Sequence, residues 1–181
     1  MKILPYILFV LASPLLGQSM DYWDVNFTLP QIALLDIEPN NSTITLVAGT
    51  PINPGEELNT GEGVDNSKWI NYTSTSSLSN PTKNVIIEII QGQVPSGMEV
   101  RVTASEYSGN SGDGNFGISA GTVSLGVTPK IIISNIGGAF TGDKKNNGHQ
   151  LIFSLHIINY EEMNEMNNND MILVSYTLMD N

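Results

Sequence analysis

Apolar residues recur at every second position along most of this chain, which is the period of side chains on one face of a β-strand and not that of a helix. Met98, Val100, Val102 and Ala104 alternate with Glu99, Arg101, Thr103 and Ser105, so one face is apolar and the other wet. Leu151, Phe153, Leu155 and Ile157 repeat the pattern, and so do Ile172, Val174, Tyr176 and Leu178. Weaker copies lie at 25–29, 32–37, 43–48, 69–73, 85–90, 122–125 and 130–134. Helical spacing is confined to 160–168, where methionines suit one turn before an asparagine run ends it. About nine or ten short strands with frequent turn signals predict an all-β fold, an antiparallel sandwich of immunoglobulin-like or pilin-like type. Trp69, in mid-strand, is expected to fill the space between the sheets.

Turn residues separate these runs. In Val94-Pro95-Ser96-Gly97 proline suits the second turn position and glycine the exit, which predicts a hairpin between the strand ending near Gln91 and the one starting at Met98. Stretches 51–55, 108–117 and 137–148, rich in glycine, asparagine, serine or proline, read as longer loops.

The first seventeen residues carry a different signal. Lys2 precedes an almost wholly apolar stretch from Ile3 to Leu16, the pattern of a cleaved secretory leader. That stretch is shorter than the roughly 20 residues that span a bilayer, and no later segment approaches that length, so no membrane span is expected. Residues 18–181 then form a single domain, large enough to bury a core without disulfides. There is no cysteine to form one. An exported chain without cysteine points to a bacterium that does not rely on oxidative folding, and the expected location is the periplasm of a Gram-negative cell, its outer surface or the space outside it. The formal charge is −11, and loss of Lys2 with the leader makes it one unit more acidic. Such a balance opposes binding to phosphate backbones and excludes nucleic acid as an expected partner.

Candidate chemistry is sparse. Triad catalysis needs a base beside a nucleophile, and the chain offers His156 on the polar face of a strand and His149 in a loop, with no Gly-x-Ser-x-Gly elbow. Acids at Glu56, Glu57, Glu62, Asp65, Glu161, Glu162 and Glu165 read as solvated clusters and not as a glycosidase pair. No catalytic residue and no organic cofactor is expected, and the chain is read as a non-enzyme. Calcium is the ion that the loop 108–115 would hold, through Asn110, Asp113 and Asn115, with Asp143, Asn146 and Asn147 as a second set. Ordinary tight turns use the same residues. An aromatic patch for a surface glycan would draw on Trp23, Tyr72, Tyr107 and Phe116.

Strand-like segments lie at both ends of residues 18–181. A terminal strand either completes its own sheet or is lent to a neighbour, because it can leave without threading other loops. The run Val25-Asn26-Phe27-Thr28-Leu29-Pro30-Gln31-Ile32-Ala33-Leu34-Leu35-Asp36-Ile37, with Ile172-Leu173-Val174-Ser175-Tyr176-Thr177-Leu178, resembles the termini of pilin-type and spore-coat-U-like secreted subunits. Trp69-Ile70-Asn71-Tyr72-Thr73-Ser74, Val94-Pro95-Ser96-Gly97 and Gly148-His149-Gln150-Leu151 are similar to segments of secreted β-sandwich proteins of Bacteroidota. The pilin resemblance implies a fimbria-like or surface-coat subunit that is structural or adhesive and partners itself or related subunits by terminal-strand exchange. The alternative is a monomeric extracellular module that binds carbohydrate or another surface ligand.

Overall fold

Eleven strands carry the fold in the computed structural model, which describes residues 21–40, 42–61, 63–163 and 171–181. They are β1 (Ala33–Glu38), β2 (Val64–Ser74), β3 (Lys83–Gln91), β4 (Met98–Ala104), β5 (Asp113–Gly114), β6 (Ile118–Ser119), β7 (Thr122–Ser124), β8 (Lys130–Ile136), β9 (Ala139–Phe140), β10 (His149–Ile157) and β11 (Leu173–Asp180). The count exceeds the nine or ten expected. Three of the strands, β5, β6 and β9, are two-residue pairings, and β5 and β9 fall in stretches whose glycines read as loop. The expected leader at 1–17, Glu62, Glu165 and the asparagine run that closes 160–168 lie outside the described residues. Of the helical expectation, the described part holds one 3-10 turn, Tyr160–Glu162, whose first N–H groups Asn159 caps by accepting from Glu161 N–H at 3.0 Å.

All pairings are antiparallel and form two sheets. In the seven-stranded sheet β2 is central. Ile70 pairs with Ile37 of β1 and with His149 of β10, so these strands flank its two edges. Beyond β10 come β4 and β7, while Thr73 and Ser74 of β2 pair with β9, which in turn pairs with β5. The four-stranded sheet runs β11-β3-β8-β6. Between the layers lie Ile70 and Tyr72 of β2, Val85, Ile87 and Ile89 of β3, Val100 and Val102 of β4, Ile132, Ile133 and Ile136 of β8, and Leu151, Phe153 and Leu155 of β10. Burial of this apolar surface is the main drive for folding, at about 25 cal/mol per Å² removed from water.

Four expectations need correction. The Pro95 turn forms, with Met98 N–H donating to the Pro95 carbonyl at 3.1 Å, but the strands it joins lie in different sheets. Val85, Ile87 and Ile89 on one side and Met98, Val100 and Val102 on the other share one core, so an arch across the sandwich lets each apolar face cover the other. Trp69 is buried yet stands outside that core, on the face of β2 opposite Ile70 and Tyr72, and its indole N–H has no partner among the described residues. Residues 25–29, read as a strand, form none. Stretch 43–48 also pairs with nothing in a ladder, although Ile44, Leu46 and Ala48 pack on the core at every second position.

At the C-terminal end β11 is fastened to β3. Lys83, almost fully buried, forms an ion pair with Asp180, whose other oxygen accepts from Asn80 Nδ2 at 3.2 Å. The hydrogen bond from Lys83 holds the Asp180 carboxyl below its ordinary value, and Asn181 N–H donates to the Thr82 carbonyl at 3.1 Å. Among the described residues no helix is long and apolar enough to cross a membrane.

Candidate functional site

Two features of the fold bear on function: a ring cluster at one end of β2 and an extended segment that precedes β1. Strand β2 delivers Tyr72 inward, and β10 begins at His149 beside it. His149 is 0% exposed. Its Nδ1 lies 2.8 Å from the Ser105 carbonyl, a position that only a donor can occupy, so the ring proton sits on Nδ1 and Nε2 accepts. The Tyr72 hydroxyl is 2.9 Å from Nε2 and also bonds the Phe116 carbonyl. Tyr107 stacks on Phe116 with ring centroids 3.6 Å apart and meets His149 edge-on at 6.2 Å.

The Tyr107 hydroxyl ties the surrounding loops together. It accepts from Gly112 N–H at 3.0 Å and donates to the Thr141 carbonyl at 3.3 Å. Ser108 N–H reaches the Gly148 carbonyl at 2.8 Å, and Ser111 Oγ donates to Asn147 Oδ1 at 3.2 Å. The two stretches read as separate loops therefore pack against each other. Asp113 and Asn115 each spend a side-chain oxygen on a nearby main-chain N–H, Gly114 at 2.8 Å and Gly117 at 3.2 Å, while Asn110 is exposed in the turn. Among the described residues no cluster of three or more histidine or acidic side chains stands ready for a metal ion.

Of the four aromatic residues expected to form a surface patch, the fold brings Tyr72, Tyr107 and Phe116 together, but as a packed group. Tyr72 is buried and the other two are half-buried. Trp23 stands elsewhere, 84% exposed. His149 is not a loop residue: both its nitrogens are engaged inside the protein. Its phase with Leu151, Phe153 and Leu155 was the sequence signal for that burial. Sequence reasoning also missed Phe140, which with Leu34 presents apolar surface to a cleft of about 330 Å³ on the outer face of the large sheet. Asp36, Asn71, Thr73 and Asp143 add polar groups to its lining. His156 bonds Ser154 Oγ at 3.0 Å and lines a second, more polar cleft with Glu57 and Tyr160.

Burial pushes the His149 pKa down, outweighing the hydrogen bonds at Ser105 and Phe116 and the nearby charge of Glu106, which push it up. An unfolded histidine titrates near 6.5, so below that value the unfolded chain binds more protons than the folded one. The stability contributed by the neutral ring is complete above that pH and is lost as pH falls below it, until the folded ring itself titrates. Melting temperature should therefore drop between about pH 7.5 and 5.5, and less steeply in His149→Leu. Equal slopes for both proteins would remove His149 as the cause.

The extended segment is the second feature. Residues 21–29 form no strand, and Trp23, Val25, Phe27 and Leu29, which alternate with Asp24, Asn26 and Thr28, are all exposed, Phe27 to 91%. Ahead of β1 the chain is held to Thr75: the Pro30 carbonyl accepts from Thr75 Oγ1 at 3.3 Å, Ile32 N–H donates to Thr75 Oγ1 at 2.7 Å, and the Ile32 carbonyl accepts from Thr75 N–H at 2.9 Å. An apolar stripe with strand periodicity thus lies in water just ahead of β1.

No protein-family model, curated protein or solved structure matches the chain.

Proposed function

We propose that this protein is an exported, non-enzymatic subunit of a fimbria-like or surface-coat assembly, and that it joins copies of itself by lending residues 22–29 to a neighbour. The observation that supports this most is the exposed alternation of Trp23, Val25, Phe27 and Leu29. A half-buried strand has this pattern because it has a sheet on one side, and here the pattern is present without the sheet. Exposed apolar surface of this kind marks an interaction site. Donation would supply main-chain hydrogen bonds and bury the stripe, the mode of recognition in which an extended segment adds to a sheet edge. The immunoglobulin-like and pilin-like character of the sandwich, and export through the leader at 1–17, belong to the same reading.

Light scattering of residues 18–181 over a range of concentration tests it. The expected result is a ladder of multiples that resists dilution and collapses to one monomeric species when residues 22–30 are deleted or when Val25→Asp and Phe27→Asp are combined. A monomer with the segment intact would sink the proposal.

The cleft beside Phe140 supports a second reading, a monomeric binder of surface carbohydrate. An exposed ring flanked by Asp36, Asn71 and Asp143 offers a sugar both a face and hydrogen-bond partners. Phe140→Ala should then abolish glycan binding in a protein that stays monomeric.

A further inference from the structure

We infer that the acceptor for residues 22–29 is the outer edge of β11 in the next copy of the chain, an inference that rests on the strand-donation reading above. Sheet edges with free N–H and C=O groups invite pairing, and proteins blunt them by shortness, charge, proline or cover. Five strands end the two sheets here: β1, β5 and β7 in the larger, β6 and β11 in the smaller. Strands β5 and β6 have two residues and β7 has three. The edge of β1 is six residues long and carries Asp36 and Glu38. Among the described strands only β11 combines length with lack of protection, since its eight residues hold no charge before Asp180 and no proline. Of these, β3 takes one edge, and no strand among the described residues takes the other.

The core is also less well covered on this side. Strand β11 runs alongside β1 of the opposite sheet. Val174, Tyr176 and Leu178 of β11 and Leu35 and Ile37 of β1 all pack on the core while remaining only half-buried. On the other side Ile132, Ile133 and Ile136 of β8 are fully enclosed, and the connections β6–β7 and β7–β8, which cross between the sheets, are held to the smaller sheet by Ala120 N–H to the Ile132 carbonyl at 3.0 Å and Ile89 N–H to the Gly126 carbonyl at 2.8 Å. A strand added to β11 would turn every second side chain toward the half-covered residues. Residues 22–29 match it in length and would direct Trp23, Val25, Phe27 and Leu29 inward, leaving Asp24, Asn26 and Thr28 in water. The uncharged run of β11 presents nothing to repel Asp24.

Because the chain has no cysteine, introduced ones report a single contact. Copies of the exported chain carrying Asn26→Cys or Thr28→Cys are mixed, under oxidation, with copies carrying Thr177→Cys in β11, Asp36→Cys in β1 or Thr122→Cys in β7. The expected result is about tenfold or more mixed covalent dimer with Thr177→Cys than with either of the others, because docking raises the local thiol concentration at one edge only. Preferential cross-linking to Asp36→Cys or Thr122→Cys, or equal yields at all three, would overturn the acceptor while strand donation stood on its light-scattering result. Covalent dimer from Thr177→Cys alone, undiminished when residues 22–30 are deleted, would mean that β11 edges pair with each other and would overturn it too. Assemblies of unchanged size after that deletion would remove strand donation and this inference together.

Discussion

Gly148→Ala is expected to leave little or no folded protein. Gly148 has φ of +89°, a region where a side chain costs about 1–2 kcal/mol by crowding its own backbone. The larger effect is steric. A Cβ built there would lie 2.0 Å from the carbonyl oxygen of Ile70 and 3.0 Å from Asn71 Nδ2. The oxygen belongs to the backbone of a fully buried residue in the central strand, so it cannot swing aside as a flexible side chain would. Relief requires β10 to draw back from β2 at the point where their ladder begins, His149 opposite Ile70, and where Ser108 N–H is held by Gly148. Loss of those bonds together with the strain puts the cost above about 4 kcal/mol, in the range of substitutions that break a defined packing feature. That is a large share of the roughly 5–15 kcal/mol by which a domain is stable. Gly121→Ala is the control: its φ is +79°, yet nothing lies within 4 Å of the added carbon, so only the conformational cost of about 1 kcal/mol should appear. Urea titration monitored by tryptophan fluorescence compares the two. If their midpoints coincide, the contact with Ile70 does not govern this position.

How much of this was legible in the sequence depends on what alternation can report. Strand β4 spans Met98–Ala104 and its burial alternates residue by residue, because a half-buried strand writes its two environments directly into residue type. The same pattern at 25–29 predicts a strand. Alternation says which residues share a face; it does not say that a partner is present in the same chain, and among the described residues no strand pairs with this stretch. Pro95 and Gly97 likewise mark where the backbone turns, but not which sheet receives the next strand, since that follows from which apolar faces cover one another across the core. Trp69 was misplaced for a simpler reason: its parity with Asn71 and Thr73 already assigned it to the outer face of β2. The ring cluster is the least readable part. Tyr72, Tyr107, Phe116 and His149 come from four separate stretches, and only the return of β10 alongside β2 brings them together. Taken one at a time they looked like surface aromatics and a loop histidine, whereas together they satisfy each other's polar atoms inside the protein.

That mutual satisfaction has a measurable consequence. Tyr72→Phe removes the hydroxyl whose single proton faces both the Phe116 carbonyl and His149 Nε2 at a buried site, which should cost about 1–3 kcal/mol. Burial of the Tyr72 ring pushes its own pKa further above the ordinary phenol value, so the hydroxyl keeps its proton and this loss should be independent of pH across the neutral range. His149→Leu removes the acceptor at Nε2 and the donor to the Ser105 carbonyl, and should cost a similar amount or more. In the double variant the pair disappears at once. No nitrogen is then left facing a phenyl ring, and the cost should fall short of the sum of the singles by about 1–2 kcal/mol, the coupling expected of buried groups that serve one another. Denaturant melts of the four proteins near neutral pH give the cycle, with the dependence of free energy on denaturant checked for a constant slope. Additive costs would mean that the two rings merely pack, at the 5.8 Å separation of their centroids, and that the bond between them contributes nothing of its own. Coupling that persists below the unfolded histidine value and fades only where the folded ring itself takes up a proton would identify the neutral ring as the acceptor and tie this cycle to the acid sensitivity of the fold.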